Sequence, residues 1–266
     1  MEFFTGDLHG EWDIAKLKSS KDNEFTRDDD LFISGDFGLI WNFKEEKTCK
    51  FWRDWLTNKK YRIFFVPGNH ENYDRLFSDE FPEIDMFGGK VRYISKNIFM
   101  LQTGYVYTIK DKKIFAFGGA QSIDKINRIN HITWWEQEIP SASEFFRGMK
   151  KLEEVNFDVD IVISHATHSD MFKRIKPIID KKVIDDNKEN GYEIVGLLDK
   201  MEDPLLKMLQ EFKERLTYKL WVCGHYHNNC FSSEEKTAIL YNLVIPYDKL
   251  KAIVDNGKDN FFLQKV

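Results

Sequence analysis

Short apolar runs and amphipathic stretches alternate along the first half of the chain. The runs at residues 2–5, 31–34 and 63–66 are bounded by polar or turn-forming residues, which is typical of buried β-strands. Residues 45–60 place their large apolar side chains at helical spacing on one face, with Lys and Glu opposite, and so predict a helix. Strands and helices in this order predict an α/β fold with parallel strand pairing.

Farther along, the apolar runs are separated by tighter turns. They predict an antiparallel meander with strands at residues 91–94, 98–101, 105–109 and 114–117. Ser141 and Glu144 have the spacing of a capping box, so a helix is predicted from Ser141 to Val155. Later strands are predicted at residues 159–163, 220–223 and 238–244.

A long, mostly polar segment separates the strands predicted at 159–163 and 220–223. We predict a partly helical insertion at about residues 168–216, with an amphipathic helix at 205–216. The five basic residues between positions 173 and 182 fit either a solvated surface or a flank that meets an anionic substrate. Because the chain shows no linker, repeat or low-complexity tract, we expect a single domain over residues 1–266.

Composition narrows the class of protein. A hydrophobic fraction of 42% allows a sizeable core, and the lack of an 18-residue apolar run predicts no membrane-spanning helix. With three cysteines and no visible signal peptide, we expect reduced thiols and a cytoplasmic protein. The formal net charge of −5 argues against a reader of duplex DNA. It does not argue against a phosphate substrate, because bound metal ions would neutralise several of the acids.

Five short segments rich in metal-binding side chains each follow a predicted strand. They are Asp7-Leu8-His9, Gly35-Asp36, Gly68-Asn69-His70-Glu71, Ser164-His165 and Gly224-His225-Tyr226-His227. Strand ends are where α/β folds gather functional groups, and alternate residues there point to one face. Each segment alone is weak evidence, but five of the seven histidines lie in them. Carboxylate, amide and imidazole donors in this number suit two divalent metal ions and metal-assisted phosphoester hydrolysis.

In order and content, the five segments resemble the signature of the calcineurin-like metallophosphoesterase superfamily. That signature reads Asp-x-His, Gly-Asp, Gly-Asn-His-Asp/Glu, His and Gly-His-x-His, and the resemblance spans residues 7–227. The chain looks like the compact bacterial and phage members, with some features of the Ser/Thr protein phosphatase branch. The resemblance implies a four-layer αββα sandwich, in which helices flank two mixed sheets and a dimetal site lies at the carboxyl ends of the strands.

The resemblance also implies a role for each residue of the site. It assigns one metal ion to Asp7, His9 and His227, the other to Asn69, His165 and His225, and a bridging position to Asp36. His70 is implied to be the catalytic residue and not a ligand; it protonates the leaving oxygen or stabilises the transition state while a metal-bound hydroxide attacks. Mn²⁺ is favoured for both positions, with Fe, Zn, Ni and Mg as alternatives.

The match fails at one position that affects catalysis. Many family members carry a second acid three residues after the motif aspartate, where it orients the catalytic histidine. This chain has Leu39 there. Another acid or a backbone carbonyl must then hold His70, and Asp13 and Asp74 are candidates by sequence proximity alone.

Two further departures affect the choice of substrate. The protein phosphatase branch uses arginines to hold phosphate, but this chain has Ile40 and Pro67 at those positions. Since Arg is the side chain best shaped for bidentate phosphate contact, we favour phosphodiester or nucleotide-type substrates. A Ser/Thr-type protein phosphatase or another phosphomonoesterase is the alternative, and a non-catalytic scaffold with this fold is the second alternative.

The segment from Gly118 to Trp135 is a candidate substrate loop. Two glycines follow a predicted strand, and Arg128 and two tryptophans come next. If the loop binds substrate, Arg128 contacts phosphate and a Trp stacks on a base; otherwise the tryptophans pack in the core. The expected partner is a phosphoester small molecule or single-stranded nucleic acid, and we expect no membrane partner.

Overall fold

The computed structural model describes residues 1–18, 25–200, 203–257 and 260–262. The strands are β1 (Glu2–Thr5), β2 (Asp30–Ile33), β3 (Arg62–Phe65), β4 (Glu83–Met86), β5 (Gly89–Ser95), β6 (Ile98–Leu101), β7 (Tyr105–Ile109), β8 (Lys112–Phe117), β9 (Ile161–Ser164), β10 (Leu220–Cys223), β11 (Asn229–Ser232), β12 (Thr237–Ile239), β13 (Ile245–Pro246) and β14 (Asn260–Phe262). The helices are α1 (Ala15–Lys18), α2 (Lys47–Thr57), α3 (Tyr73–Leu76), α4 (Ala142–Glu153), α5 (Ser169–Asp186), α6 (Gly191–Leu198), α7 (Pro204–Arg215) and α8 (Tyr247–Asn256).

The strands form two mixed sheets of seven. The first sheet has the order β13-β1-β2-β3-β6-β5-β4, and the second has the order β14-β11-β12-β10-β9-β8-β7. Four central strands of each sheet run parallel, and every other strand pairs with its neighbour in the antiparallel sense. The carboxyl ends of the central strands therefore collect at one edge of each sheet.

The prediction of one antiparallel meander over residues 91–117 is wrong, because its four strands divide between the two sheets. β6 pairs with β5 in the antiparallel sense, but it also pairs in parallel with β3 in the first sheet. β7 and β8 form a hairpin at the edge of the second sheet. The chain crosses between sheets at residues 102–104, where Gly104 has a φ of +81°. Glycine adopts this backbone conformation readily. Residues 102–104 therefore form a short crossover between the sheets where a turn within one sheet was predicted.

Buried side chains divide between the two faces of the central strands. Phe4, Phe32 and Phe64 stack in the space between the sheets, with ring centroids 5.2 and 5.1 Å apart. Their neighbours, such as Phe3 and Leu31, pack on the opposite face beneath helices α1 and α2. A matching outer core joins the second sheet to α4, α5 and α7. Strands buried on both faces explain the continuous apolar runs, and the four-layer αββα fold is confirmed.

Local predictions hold better than element boundaries. The capping box of α4 is present, with Ser141 Oγ accepting from Glu144 N, but α2 is shorter than predicted. The segment at 168–216, predicted as an insertion, is helical over most of its described residues, since α5, α6 and α7 occupy it. β12 ends at Ile239, before the predicted end at residue 244. No helix among the described residues is long and apolar enough to cross a membrane, and all three cysteines are free thiols.

Candidate metal centre

The five polar segments meet at the edge where the carboxyl ends of parallel strands from both sheets come together. The side chains are Asp7 and His9 after β1, Asp36 after β2, Asn69 and His70 after β3, His165 after β9, and His225 and His227 after β10. The fold thus brings all eight candidate residues into one cluster, although they span 221 positions of sequence between residues 7 and 227.

Asp36 lies at the middle of this cluster. Its Oδ2 is 3.2 Å from His9 Nε2, and its Oδ1 is 3.2 Å from His165 Nε2. The backbone N–H of His70 also donates to Oδ1, at 2.8 Å. Asp36 has a φ of +48°, an uncommon conformation for a residue with a side chain. Its two carboxylate oxygens therefore face different histidines from the two sheets.

Asp7 is fully buried beside the His-x-His segment. Its Oδ1 accepts the backbone N–H of His225 at 2.8 Å. Its Oδ2 is 3.3 Å from His227 Nε2, but has no hydrogen bond with any described residue. A buried carboxylate oxygen without a hydrogen bond is costly. This oxygen is therefore a fitting donor for a cation that would also touch His9 and His227, whose ligand atoms lie within 4.8 Å of it.

Backbone and side-chain contacts orient the two histidines that face Asp36. The His165 Nδ1–H donates to the Ser34 carbonyl at 2.7 Å, which leaves Nε2 directed at Asp36 and 3.2 Å from Asn69 Oδ1. His9 Nδ1 lies 2.6 Å from Asp13 Oδ2, which likewise leaves its Nε2 towards Asp36. A hydrogen bond at one ring nitrogen that orients the other is the usual arrangement around metal-binding histidines.

Asn69 is held by a chain of hydrogen bonds that could not be predicted from the sequence. Its side-chain amide donates to Ser122 Oγ at 3.3 Å, and Ser122 Oγ donates to Glu138 Oε2 at 2.6 Å. Glu138 also accepts the Ser122 N–H at 2.8 Å. Since the amide nitrogen is engaged, Asn69 turns its carbonyl oxygen towards His165 and the cluster.

Three glycines are required by close packing against the cluster. An added Cβ would lie 2.0 Å from His165 Nδ1 at Gly35, 2.1 Å from Asp36 Oδ1 at Gly68, and 2.1 Å from Asp7 Oδ1 at Gly224. Real Cβ atoms do not approach other atoms this closely. The glycine that precedes each key residue therefore lets the backbone approach the cluster closely.

The cluster stabilises positive charge at two positions. Burial alone lowers the pKa of His9, but its contacts with Asp13 and Asp36 outweigh burial and raise it to about 10. Burial also lowers the pKa of His165, and the Asp36 charge then raises it to about 9. Burial holds the pKa of His225 well below its ordinary value. The carboxylate of Asp36 thus favours positive charge beside it, and divalent cations would supply that charge between the same groups.

Neither carboxylate proposed to orient His70 does so. Asp13 contacts His9, while Asp74 accepts from Trp135 Nε1 at 2.8 Å and lies 2.9 Å from His131 Nδ1. Among the described residues, none forms a hydrogen bond to the His70 ring. The Trp41 ring packs against it, with centroids 5.6 Å apart. Leu39 is fully buried in the outer core, so packing takes the place of the expected acid.

Glu71 is a site residue to which the sequence assigned no role. It is fully buried and accepts the N–H groups of Phe37 and Gly38, at 2.6 and 3.4 Å. Burial, and then the nearby Asp36 charge, raise its pKa to about 8. Glu71 thereby ties the loop after β2 to the loop after β3 and fixes the backbone that presents Asp36. The only sequence feature that pointed to Glu71 was its place in the Gly-Asn-His-Glu segment.

Two clefts open beside the cluster. One, of about 550 Å³, is lined by His70, His225 and His227 and by helices α5 and α6. The other, of about 420 Å³, lies towards Trp41 and Tyr241. Arg128 lines the larger cleft and also forms an ion pair with Asp124, with Nε 2.8 Å from Oδ1.

Trp135 and His168 have structural roles. Trp135 is buried and donates to Asp74, so it cannot stack on a base. His168 is the N-cap of α5, where its Nδ1 accepts from Met171 N at 3.3 Å. It also groups with Asp170 and Glu235, but both carboxylates pair with Lys213 at 2.7 and 2.5 Å and need no metal ion.

Comparison with known proteins identifies the family. The sequence model described as calcineurin-like phosphoesterase matches residues 3–229. No curated protein matches the chain. Among solved structures, the phosphopantetheinyl hydrolase PptH from Mycobacterium tuberculosis is similar, with 12% identity and a TM-score of 0.40 over 90% of this chain and 87% of that one. A similarity of that size carries no argument about substrate.

Proposed function

Because this chain belongs to the calcineurin-like phosphoesterase family, whose chemistry is metal-dependent phosphoester hydrolysis, we propose that its cluster holds two metal ions and cleaves phosphodiester or nucleotide-type substrates. The observation that carries the proposal is the position of Asp36 between two sets of donors. One carboxylate oxygen faces His9 and the other faces His165, each at 3.2 Å. A carboxylate in this position is suited to bridge two cations.

The residues present fit such a metal pair. Asp7, His9 and His227 would hold one ion, Asn69, His165 and His225 would hold the other, and Asp36 would touch both. The Asp7 Oδ2 atom, which has no hydrogen bond with a described residue, supports the first position. Oxygen and imidazole donors favour Mn²⁺, with Fe, Zn, Ni and Mg as alternatives. When bound, the ions would lower the pKa of a coordinated water to about 7 and neutralise phosphate charge.

His70 is the proposed catalytic residue of the chain itself. Its backbone is fixed by Asp36, and its ring lines both clefts beside the proposed ligands. Burial lowers the pKa of His70 and outweighs the opposing Asp36 charge, which favours the neutral form of the ring. A neutral imidazole donates one hydrogen bond. In this position, that donor would meet the leaving oxygen and stabilise the charge that develops there.

Arg128 is the proposed phosphate contact in the larger cleft. The Arg positions of the protein phosphatase branch are occupied by Ile40 and Pro67, both buried in the fold. Arg128 reaches the cleft from a different loop, with only 15% of its side chain exposed. One arginine in place of two suits a phosphodiester, which carries less charge than a monoester. This difference supports the diester preference over protein phosphatase activity.

The test is hydrolysis of bis-p-nitrophenyl phosphate by the Mn²⁺-loaded protein, with His70→Ala as the variant. We expect the variant to lose about 10²–10⁴-fold in kcat, the usual contribution of a general acid or base. Its affinity for Mn²⁺ should stay close to that of the wild type. His131→Ala is the matched control, because His131 is exposed and outside the cluster. No turnover with any divalent metal would favour the scaffold alternative.

A substrate panel then separates the remaining alternatives. It should contain cyclic nucleotides, dinucleotides, RNA ends and phosphopeptides, each assayed with Mn²⁺ at the same concentration. Faster turnover of the phosphodiesters supports the proposal. Preferential dephosphorylation of the phosphopeptides would instead establish the protein phosphatase alternative.

A further inference from the structure

The larger cleft has an apolar wall that the proposed chemistry does not use. Across from the proposed metal ligands, α5, α6 and α7 contribute apolar side chains: Phe172, Ile179, Val183, Leu198 and Leu206. Ile123 lines the cleft from the loop after β8, although 54% of it is exposed. A volume of about 550 Å³ is within the range of small-molecule sites, roughly 300–1,000 Å³. The space adjoining the cluster is thus large enough for an organic group.

The charges around the cleft do not suit a polyanion. Among the described residues that line it, Arg128, Lys176 and Lys182 are the cations, and six aspartates are the anions. Lys176 forms ion pairs with Asp180 and Asp199, both at 2.6 Å. Arg128 pairs with Asp124. Grooves that bind single-stranded nucleic acid are positively charged along the backbone path and carry exposed aromatic platforms. In this cleft, two of the three lining cations are ion-paired, and the lining aromatic side chains Phe172 and Tyr226 are half-buried.

Lys182 is placed to act near the cluster. It lies on α5, and its Nζ donates to the His227 carbonyl at 3.4 Å. Lys182 therefore puts positive charge near the proposed metal ligands, beside the Arg128–Asp124 pair. The rest of the lining from Phe172 to Leu206 combines the apolar side chains with the ion-paired Lys176 and with the acids Asp186 and Asp203. The cleft has one end suited to a single phosphate and another suited to an uncharged group.

We propose that the cleft selects phosphoesters with an uncharged, apolar substituent, which packs against α5 and α6 while the phosphate meets the metal cluster. This inference rests on the proposed function, because it concerns the substrate of the same site. It refines the diester proposal by disfavouring single-stranded nucleic acid as the partner. Methylene groups that enter such a wall gain affinity through burial of apolar surface.

Alkyl phosphates of increasing length test the proposal on the wild-type protein. Methyl, butyl and hexyl phosphate carry the same charge and differ only in chain length. Each has one organic group, whereas a diester has two, either of which could enter the cleft. We expect the inhibition constant against bis-p-nitrophenyl phosphate to fall roughly tenfold or more from methyl to hexyl phosphate. An inhibition constant independent of length, or stronger inhibition by oligothymidylate than by hexyl phosphate, would overturn the proposal.

Failure of the cleft proposal can be distinguished from failure of the proposed function. If the protein hydrolyses no substrate with any metal, the phosphoesterase proposal fails, and titration calorimetry of the same alkyl phosphates into Mn²⁺-loaded protein still decides the cleft proposal. If the protein is active but indifferent to chain length, only the cleft proposal fails.

A pair of variants locates the effect. Val183→Asn places a polar group in the apolar wall, whereas Leu197→Asn makes the same kind of change at a residue of α6 that is 56% exposed and does not line the cleft. We expect V183N to lose most of the hexyl advantage while inhibition by methyl phosphate stays unchanged. L197N should retain the full dependence on length. Equal loss of the length dependence in both variants would contradict the assignment of the wall. The alkyl phosphate series on the wild-type protein tests the proposal whether or not V183N folds.

Discussion

Substitution of Gly68 by alanine should damage the metal cluster while leaving the rest of the fold in place. Gly68 begins the segment that presents Asn69 and His70, and an added Cβ would lie 2.1 Å from Asp36 Oδ1 and 2.5 Å from Asp36 N. Its φ is not in the left-handed region, so an alanine there suffers a clash and no backbone penalty. The affected atom is the proposed bridging oxygen.

The size of the effect follows from these distances. Ordinary van der Waals contact begins at 3.4 Å, so the Asp36 carboxylate must retreat by about 1.3 Å. Overpacking of this kind costs about 1–3 kcal/mol of folding free energy. A misplacement near 1 Å in a catalytic arrangement can cost about 10²-fold in rate. We therefore expect kcat/KM on bis-p-nitrophenyl phosphate to fall about 10²-fold or more, together with weaker binding of Mn²⁺.

The assay pairs this variant with Gly196→Ala. Gly196 lies in α6 and has nothing within 4 Å of an added Cβ. Alanine there should keep full activity and stabilise the protein by about 0.5–1 kcal/mol, since glycine is a poor helix former. Mn²⁺ titration calorimetry, kinetics and thermal melting of both variants separate site damage from unfolding. If G68A folds and binds Mn²⁺ as tightly as the wild type, the assignment of Asp36 as a bridging ligand is refuted.

Two further predictions concern residues outside the proposed ligand set. Arg128→Ala should lower kcat/KM about 10-fold or more, because a charge-assisted hydrogen bond to phosphate is worth roughly 1.5–3 kcal/mol. Lys125→Ala, on an exposed part of the same loop, is the control, and unchanged kinetics of R128A on monoesters and diesters alike would rule out a phosphate contact. Burial lowers the pKa of His168 from 6.5 to about 4, so in that interval the unfolded chain binds a proton that the folded protein does not. Stability should therefore fall by about 3 kcal/mol as the pH drops from 7 to 4. His168→Asn, which can still cap α5, should reduce that loss in urea denaturation, and an identical pH profile would contradict it.

Local sequence patterns were sufficient for much of the architecture and for the membership of the site. The apolar runs at residues 2–5 and 98–101 coincide with strands, and Ser141 begins a helix through the predicted capping box. These features depend on neighbours within about four residues, and so they can be read from the chain. The same holds for the glycines that stand directly before Asp36 and Asn69 in the polar segments.

Contacts between distant segments were decided by the tertiary structure alone. Sequence proximity made Asp13 one of two candidates to orient His70, but Asp13 contacts His9, and His70 packs on Trp41. The split of the predicted meander between two sheets depends on which strand edges are free to pair.

The site itself depends on such long-range geometry. The Asp7 carboxylate accepts from His225 N across 218 positions of sequence, and the wall of α5 and α6 reaches the cluster only through packing. The sequence by itself determined which donor side chains follow the strands, because strand and turn preferences are local. Which donors share an ion, which residues orient them and what lines the cleft depend on how the two sheets pack, since that packing sets the distances between groups far apart in the chain.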